Sequence, residues 1–130
     1  MGVKVSLINN SDCICTLKYR WINQNPFKSI FWAAQGMAAE FATGVLLMRE
    51  IELSKKNISM LLIDVEAKFI KKAIGKISFK CDKGLIIKEK VGSLNSQKTK
   101  STMRIDSIGV DESGQEVSKF KFNWSILLKK

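Results

Sequence analysis

Hydrophobic and polar residues alternate at the start of the chain, a pattern typical of β-strands with one buried face. Residues 3–7 alternate, residues 9–12 form a turn-forming stretch of Asn, Ser and Asp, and residues 13–21 alternate again. The two runs predict an antiparallel hairpin. Its buried face would consist of Cys13, Cys15, Leu17, Tyr19 and Trp21.

A long apolar segment follows the hairpin. Between residues 30 and 48 only Gln35, Glu40 and Thr43 are polar, and the segment is rich in alanine and lacks proline. This composition predicts one helix, with Ser29 as its N-cap and Arg49 near its C-terminal end, where the helix dipole favours a cation. Because the helix is apolar nearly all round, we expect most of its sides to be buried.

The length of this apolar segment raises the question of a membrane span. Nineteen largely apolar residues could just cross a bilayer. Glu40 at the centre would cost about 2–4 kcal/mol there. The alternating strands also need a hydrophobic partner, which this helix supplies. We therefore predict no membrane span.

The second half of the chain has the alternation of a sheet. Residues 58–70 predict a strand with Leu61, Ile63, Val65, Ala67 and Phe69 on one face, and further strands are predicted around residues 77–81, 103–105 and 120–128. Residues 111–114 form a turn signal, and residues 85–94 fit either a helix or a strand. Together the elements predict a single α+β domain over residues 1–130, a curved antiparallel sheet of about six strands wrapped around one long central helix.

The charge of the chain is unevenly distributed. The net charge is +10, of which residues 1–52 contribute +1 and residues 53–130 contribute +9. A basic face attracts nucleic acid, anionic lipid or a phosphate-bearing ligand such as coenzyme A, although a solvated, lysine-rich sheet face has the same composition. The sequence has no RNP-type motif and no glycine-rich phosphate loop, so nucleic acid is not the expected partner.

The absence of histidine excludes several kinds of chemistry. A Ser-His or Cys-His nucleophile pair and a His-ligated zinc cannot exist in this chain, and we predict no metal site. Three cysteines cannot all pair, and two of them share one strand face, so we expect a reducing, cytoplasmic setting.

Glu40 is the main candidate for chemistry. A carboxylate in the middle of an apolar helix loses solvation, and Gly36 and Gly44, one turn away on either side, predict open space beside it. A ligand or a partner chain could enter that space. Alternatively, Glu40 is a buried carboxylate hydrogen-bonded across an oligomer interface.

Two further groups of residues are weaker candidates. The backbone amides of Phe31 and Trp32, in the first turn of the predicted helix, could hold the carbonyl oxygen of a thioester, unless Ser29 or water satisfies them. Lys71 and Lys72 form a small basic cluster at a strand end, either a solvated turn or a phosphate contact.

Three motifs together resemble a known superfamily. Asn25 precedes Glu40 by fifteen positions, with Ala42 and Gly44 following. Residues 66–73 and 117–125 are similar to a later strand with its corner and to the last strand of the same proteins. In their order and spacing these motifs resemble the hotdog-fold thioesterase superfamily, in particular phenylacetate-pathway acyl-CoA thioesterases and a related branch of unknown function.

The resemblance implies a homodimer or a dimer of dimers that hydrolyses an acyl-CoA or related thioester at the dimer interface, with no cofactor beyond the coenzyme A of the substrate. Glu40 would be general base or nucleophile, and Asn25 would orient water or the carbonyl. The amides of Phe31 and Trp32 would stabilise the oxyanion, and Lys71 and Lys72 would contact the phosphates of the coenzyme.

One departure from the family pattern supports an alternative. Residues 31–33, Phe-Trp-Ala, stand where the active enzymes have His-Gly-Gly. The alternative function is therefore a non-catalytic module that binds an acyl ligand or serves oligomerisation.

Overall fold

The computed structural model describes residues 3–18, 30 and 32–129. These residues form six strands and two helices. In chain order the elements are β1 (Lys4–Ile8), β2 (Cys13–Lys18), α1 (Trp32–Ser54), β3 (Ile58–Phe69), β4 (Lys76–Cys81), α2 (Gly84–Gly92), β5 (Lys100–Val110) and β6 (Glu116–Leu128).

The six strands make one curved sheet in the order β1-β2-β4-β5-β6-β3, and every neighbouring pair is antiparallel. Helix α1 carries the chain from β2 to the far side of the sheet, so β3 becomes one edge strand and β1 the other. The helix packs against β2, β4, β5 and β6. This architecture confirms the predicted curved sheet around a long central helix. We call the face toward α1 the inner face and the opposite one the outer face.

Alternation along the strands explains the core. Four side chains at every second position of β6 are buried on the inner face, namely Phe120, Phe122, Trp124 and Ile126. The inner positions of β2, β4 and β5 are buried in the same way, including Leu17, Phe79 and Ile105. The predicted faces of these strands are therefore confirmed. Tyr19 and Trp21, predicted to extend the face of β2, lie outside the described residues.

Helix α1 is longer than the sequence pattern predicted. It continues to Ser54, so Arg49 lies more than one turn before its end, and the expected placement of this cation at the helix terminus is wrong. The buried face that includes Leu46 and Leu47 continues to Glu50, which lies beyond the apolar segment. The helix ends where Lys55 adopts the left-handed conformation, with φ of 60°.

The sequence pattern of residues 85–94 fitted either a helix or a strand. In the structure most of these residues lie in helix α2. Ile87, Val91 and Leu94 follow a helical spacing and are all buried, and α2 packs against α1. The Lys56 ammonium donates to the carbonyl oxygens of Val91, Gly92 and Leu94 at 2.8–3.4 Å, which satisfies acceptors at the C-terminal end of α2.

Strand β3 has the predicted extent, but its predicted common face is wrong. A bulge between Leu62 and Asp64 inserts one residue, which exchanges the two faces of the strand. Val65 lies opposite Phe122 on the inner face, whereas Leu61 lies opposite Ser125 on the outer face. A period of two cannot continue through such an insertion.

Candidate functional site

Glu40 lies in the middle of α1 and is half-buried. At 3.6 residues per turn it lies beside a row of exposed apolar side chains, which we call the apolar stripe of α1 and which consists of Met37, Phe41 and Met48. A carboxylate at the border of an apolar surface is available to a ligand, and a second chain could cover the stripe.

The two glycines near Glu40 do not leave the open space that we predicted. A Cβ atom at Gly36 would lie 3.5 Å from the Phe120 ring, and one at Gly44 would lie 3.4 Å from the Trp124 ring. A methyl group at either position would make ordinary van der Waals contact with an aromatic ring of β6. The space on the sheet side of both glycines is therefore filled by these rings.

A hydrogen-bond network that the sequence did not predict fixes this turn of the helix to the sheet. The Thr43 hydroxyl donates to the Glu40 carbonyl oxygen at 2.9 Å, and it accepts from the indole nitrogen of Trp124 at 3.0 Å. Both side chains are buried. The signal in the sequence was a buried tryptophan, whose N–H needs an acceptor, but the identity of the acceptor depends on the tertiary contact.

Gln35 lies away from Glu40, as its position on the helical wheel predicts. Its side-chain nitrogen donates to the Ile30 carbonyl oxygen at 2.9 Å, and its buried side-chain oxygen has no hydrogen-bond partner among the described residues. The Ile30 amide in turn donates to the Ala73 carbonyl oxygen at 2.8 Å. Gln35 thus connects the start of α1 with the segment after β3.

The N-terminal end of α1 is the second predicted part of the site. Trp32 is the first residue of the helix, and its side chain is 68% exposed. The first turn contains no acidic side chain. Trp32 and Glu40 are eight residues apart, or about 12 Å along the helix axis. Phe31 and Asn25, and the predicted cap Ser29, lie outside the described residues.

The two lysines after β3 have different surroundings. The Lys71 ammonium forms an ion pair with Asp111 at 3.0 Å and also donates to the side-chain oxygen of Gln115. Hydrogen bonds from Ser113 and Lys71 hold the pKa of the Asp111 carboxyl well below its usual range. Lys71 is thus engaged with the β5–β6 turn, whereas Lys72 is exposed.

The three cysteines are buried in the core. All are free and fully buried on the inner face, with Cys13 opposite Cys81 on the neighbouring strand. Burial raises the pKa of the Cys81 thiol to about 12. A hydrogen bond donated by the Cys15 thiol to Cys13, together with burial, raises the pKa of Cys15, and the same hydrogen bond lowers the pKa of Cys13. Within the described part of the chain, no cluster of acidic or cysteine side chains is arranged to hold a metal ion.

Neither α1 nor any other helix among the described residues is both long and apolar enough to cross a bilayer.

Solved structures of three bacterial proteins resemble this chain. A Pseudomonas aeruginosa protein of unknown function, described as a probable thioesterase, has a TM-score of 0.83 at 14% identity, with 98% of this chain and 84% of that chain covered. A Chlorobaculum tepidum protein of unknown function has a TM-score of 0.78 at 14% identity, covering 99% and 84%. A mutant of a thioesterase enzyme from Staphylococcus aureus has a TM-score of 0.74 at 13% identity, covering 96% and 93%.

These similarities show that the chain has the hotdog fold. No curated protein matches the sequence. A family model described as a domain of unknown function, DUF4442, matches residues 1–126. The chain therefore belongs to the DUF4442 family.

Proposed function

We propose that this protein is a homodimeric hydrolase of acyl-CoA or related acyl thioesters, with Glu40 as its central catalytic group. The observation that carries the proposal is a half-buried carboxylate in the middle of the central helix, beside exposed apolar side chains. An acyl chain needs an apolar surface, and hydrolysis needs a group that accepts a proton from water. Coenzyme A enters as part of the substrate.

The reaction proceeds by addition and elimination. As general base, the Glu40 carboxylate takes a proton from water while the water oxygen attacks the thioester carbon. The carbonyl oxygen becomes an oxyanion, which the backbone amides of Phe31 and Trp32 stabilise. The C–S bond then breaks, and the leaving thiolate takes the proton from Glu40. Asn25 orients the water or the carbonyl. If Glu40 acts as nucleophile instead, an acyl-enzyme anhydride forms first and water opens it.

The spacing along α1 favours a site shared between two copies. The Trp32 amide and Glu40 are about 12 Å apart along the helix axis, whereas a base and an oxyanion donor must both lie about 3 Å from one reacting group. The two groups of one chain therefore cannot act on the same thioester. If two copies pack with their α1 helices antiparallel and crossing near Gly36, Glu40 of one copy meets the helix start of the other.

Strand β3 supports such a dimer. It is a long edge strand, paired among the described strands with β6 alone, and carries exposed Leu61, Ile63 and Val65. An exposed apolar edge of this kind is expected to pair with another chain. Pairing of β3 with its copy would join two sheets side by side and bring the apolar stripes of the two helices together.

The remaining predicted features fit this proposal to different degrees. Lys72 is the better of the two candidates for the phosphates of the coenzyme, because Lys71 already forms an ion pair with Asp111.

Three free, buried thiols are suited to a reducing compartment, so we place the protein in the cytoplasm.

A second candidate function is a module that binds an acyl ligand without hydrolysing it. It is favoured by residues 31–33, Phe-Trp-Ala, where the active enzymes that the chain resembles have His-Gly-Gly. Native mass spectrometry of freshly purified protein distinguishes the two functions. A retained acyl ligand without turnover supports the binding module.

The proposed hydrolysis is tested by turnover over a panel of acyl-CoA thioesters, comparing wild type with Glu40→Gln. We expect the variant to lose activity by about 10²–10⁴-fold, the usual contribution of a general base. Glu52→Gln removes an exposed carboxylate from the same helix and should retain activity. No turnover by wild type, or equal rates for wild type and Glu40→Gln, would refute the proposal.

A further inference from the structure

The outer face of the sheet collects much of the positive charge of the chain. Among the described strand residues whose side chains point outward, nine are cations and four are carboxylates, a net charge of +5. All nine cations are exposed. We call them the basic outer face, and they are Lys4, Lys18, Lys68, Lys76, Lys80, Lys100, Arg104, Lys119 and Lys121. The carboxylates are Asp64, Glu66, Asp106 and Glu116.

Some of these cations lie next to each other on paired strands. Lys68 lies directly opposite Lys119, and Lys18 lies directly opposite Lys76. Like charges on directly opposed strand positions destabilise a sheet. Lys119 also forms an ion pair with Glu116 at 3.3 Å, which offsets part of its repulsion with Lys68, and an anionic partner would offset more of it.

Aliphatic side chains lie between the cations. Ile108 separates Lys119 from Lys80 in one row across the sheet, and Ile14 follows Lys80 in the same row. Leu127, also on the outer face, is 41% exposed. Long lysine side chains interleaved with aliphatic ones suit an interface that is anionic at its surface and apolar beneath it.

The same surface lacks the features that nucleic acids require. Every aromatic side chain in the described part of the chain belongs to α1 or to an inner strand position, so the outer face offers no platform for base stacking. Eight of the nine cations are lysines, which act as point charges and do not form the bidentate contacts by which arginine reads bases. The outer face is also formed by strands, without a helix that could enter a groove.

We propose that the basic outer face is a docking surface for bilayers rich in anionic lipids. Each lysine near such a membrane gains attraction from the negative surface potential, and this attraction decays within a Debye length, so binding should weaken as salt rises. The proposal does not rest on thioester hydrolysis. It also disfavours a dimer of dimers built by contact between two outer faces, because two like-charged surfaces would meet.

The test is co-sedimentation of the full chain with phosphatidylcholine vesicles that contain or lack phosphatidylglycerol, over a series of salt concentrations. We expect binding to the anionic vesicles alone, strongest at low salt. The triple variant Lys68→Gln, Lys80→Gln, Lys119→Gln should partition on the order of 100-fold more weakly. Thermal unfolding monitored by circular dichroism verifies that the variant is folded.

A matched control variant loses the same number of positive charges, at positions outside the strands. Lys55→Gln, Lys88→Gln, Lys98→Gln removes three exposed lysines that belong to no strand, and it should bind vesicles within about threefold of wild type. Equal losses in both triple variants would show that total charge, and not the outer face, drives binding. Absence of binding at low salt, or binding to a DNA duplex as tight as to vesicles at equal phosphate concentration, would also overturn the proposal.

Discussion

Thr43 shows how a single side chain connects the candidate site with the sheet. Its hydroxyl accepts from the Trp124 indole and donates to the Glu40 carbonyl oxygen, so one oxygen joins β6 to the helical turn that carries the carboxylate. Thr43 and Trp124 are both buried, where an unsatisfied donor cannot turn to water. Thr43 therefore fixes the turn of α1 that carries Glu40 against β6.

The contribution of this network can be measured by two substitutions. Thr43→Val has a similar volume but leaves the Trp124 N–H without an acceptor, so we expect the free energy of unfolding to fall by about 1–3 kcal/mol. Thr43→Ser keeps the hydroxyl and should restore most of the difference. Urea unfolding monitored by tryptophan fluorescence measures both variants. Equal losses for valine and serine would mean that the lost methyl, and not the hydrogen bond, matters.

At the residue scale, sequence patterns predict where a side chain lies better than what it contacts. Glu40 could be singled out because it is one carboxylate in an apolar helix, and the helical wheel correctly separated it from Gln35. The ion pair of Lys71 with Asp111 joins residues forty positions apart, and no local pattern contains that contact. The packing of Gly36 and Gly44 against aromatic rings likewise depends on which strand crosses beneath the helix.

At the scale of elements, β3 is the strand on which the proposed dimer depends. We expect wild type to be a dimer in analytical ultracentrifugation and Ile63→Lys, Val65→Lys to be largely monomeric, because charges on an edge strand block its pairing. The matched control is Leu7→Lys, Ile8→Lys on β1, the opposite edge of the sheet, which should remain dimeric. A monomeric wild type, or equal dissociation of both variants, would contradict the proposed interface.

The elements also show where periodicity is informative and where it fails. Strands β2, β4 and β5, and β6 from residue 118 onward, follow their period of two, so their buried faces were predictable. In β3 the bulge at Leu62–Asp64 exchanges the faces, and a one-residue insertion leaves no signal in an alternating pattern. Residues 85–94 fitted two periods equally well, and contact with α1 favours the helix.

At the scale of the whole molecule, the order of helices and strands along the chain was enough to predict most of the fold. A hairpin, a long apolar helix and further antiparallel strands leave few arrangements that cover such a helix, and the hotdog fold is one of them. The position of β3 at an edge follows from the helical crossover. The site is less predictable because, in our proposal, each half of it comes from a different copy of the chain.

In the proposed dimer, each catalytic site combines Glu40 of one copy with the helix start of the other. Subunit complementation tests this arrangement most directly. Glu40→Gln removes the base, and Trp32→Pro removes one amide donor at the first position of α1, where proline is compatible with a helix. Each variant alone should be inactive toward the best acyl-CoA substrate. Co-refolded in equal amounts, they should regain about one quarter of wild-type activity, because half of the dimers then contain one intact site. If the mixture forms mixed dimers but stays inactive while wild type turns over, the shared site is wrong.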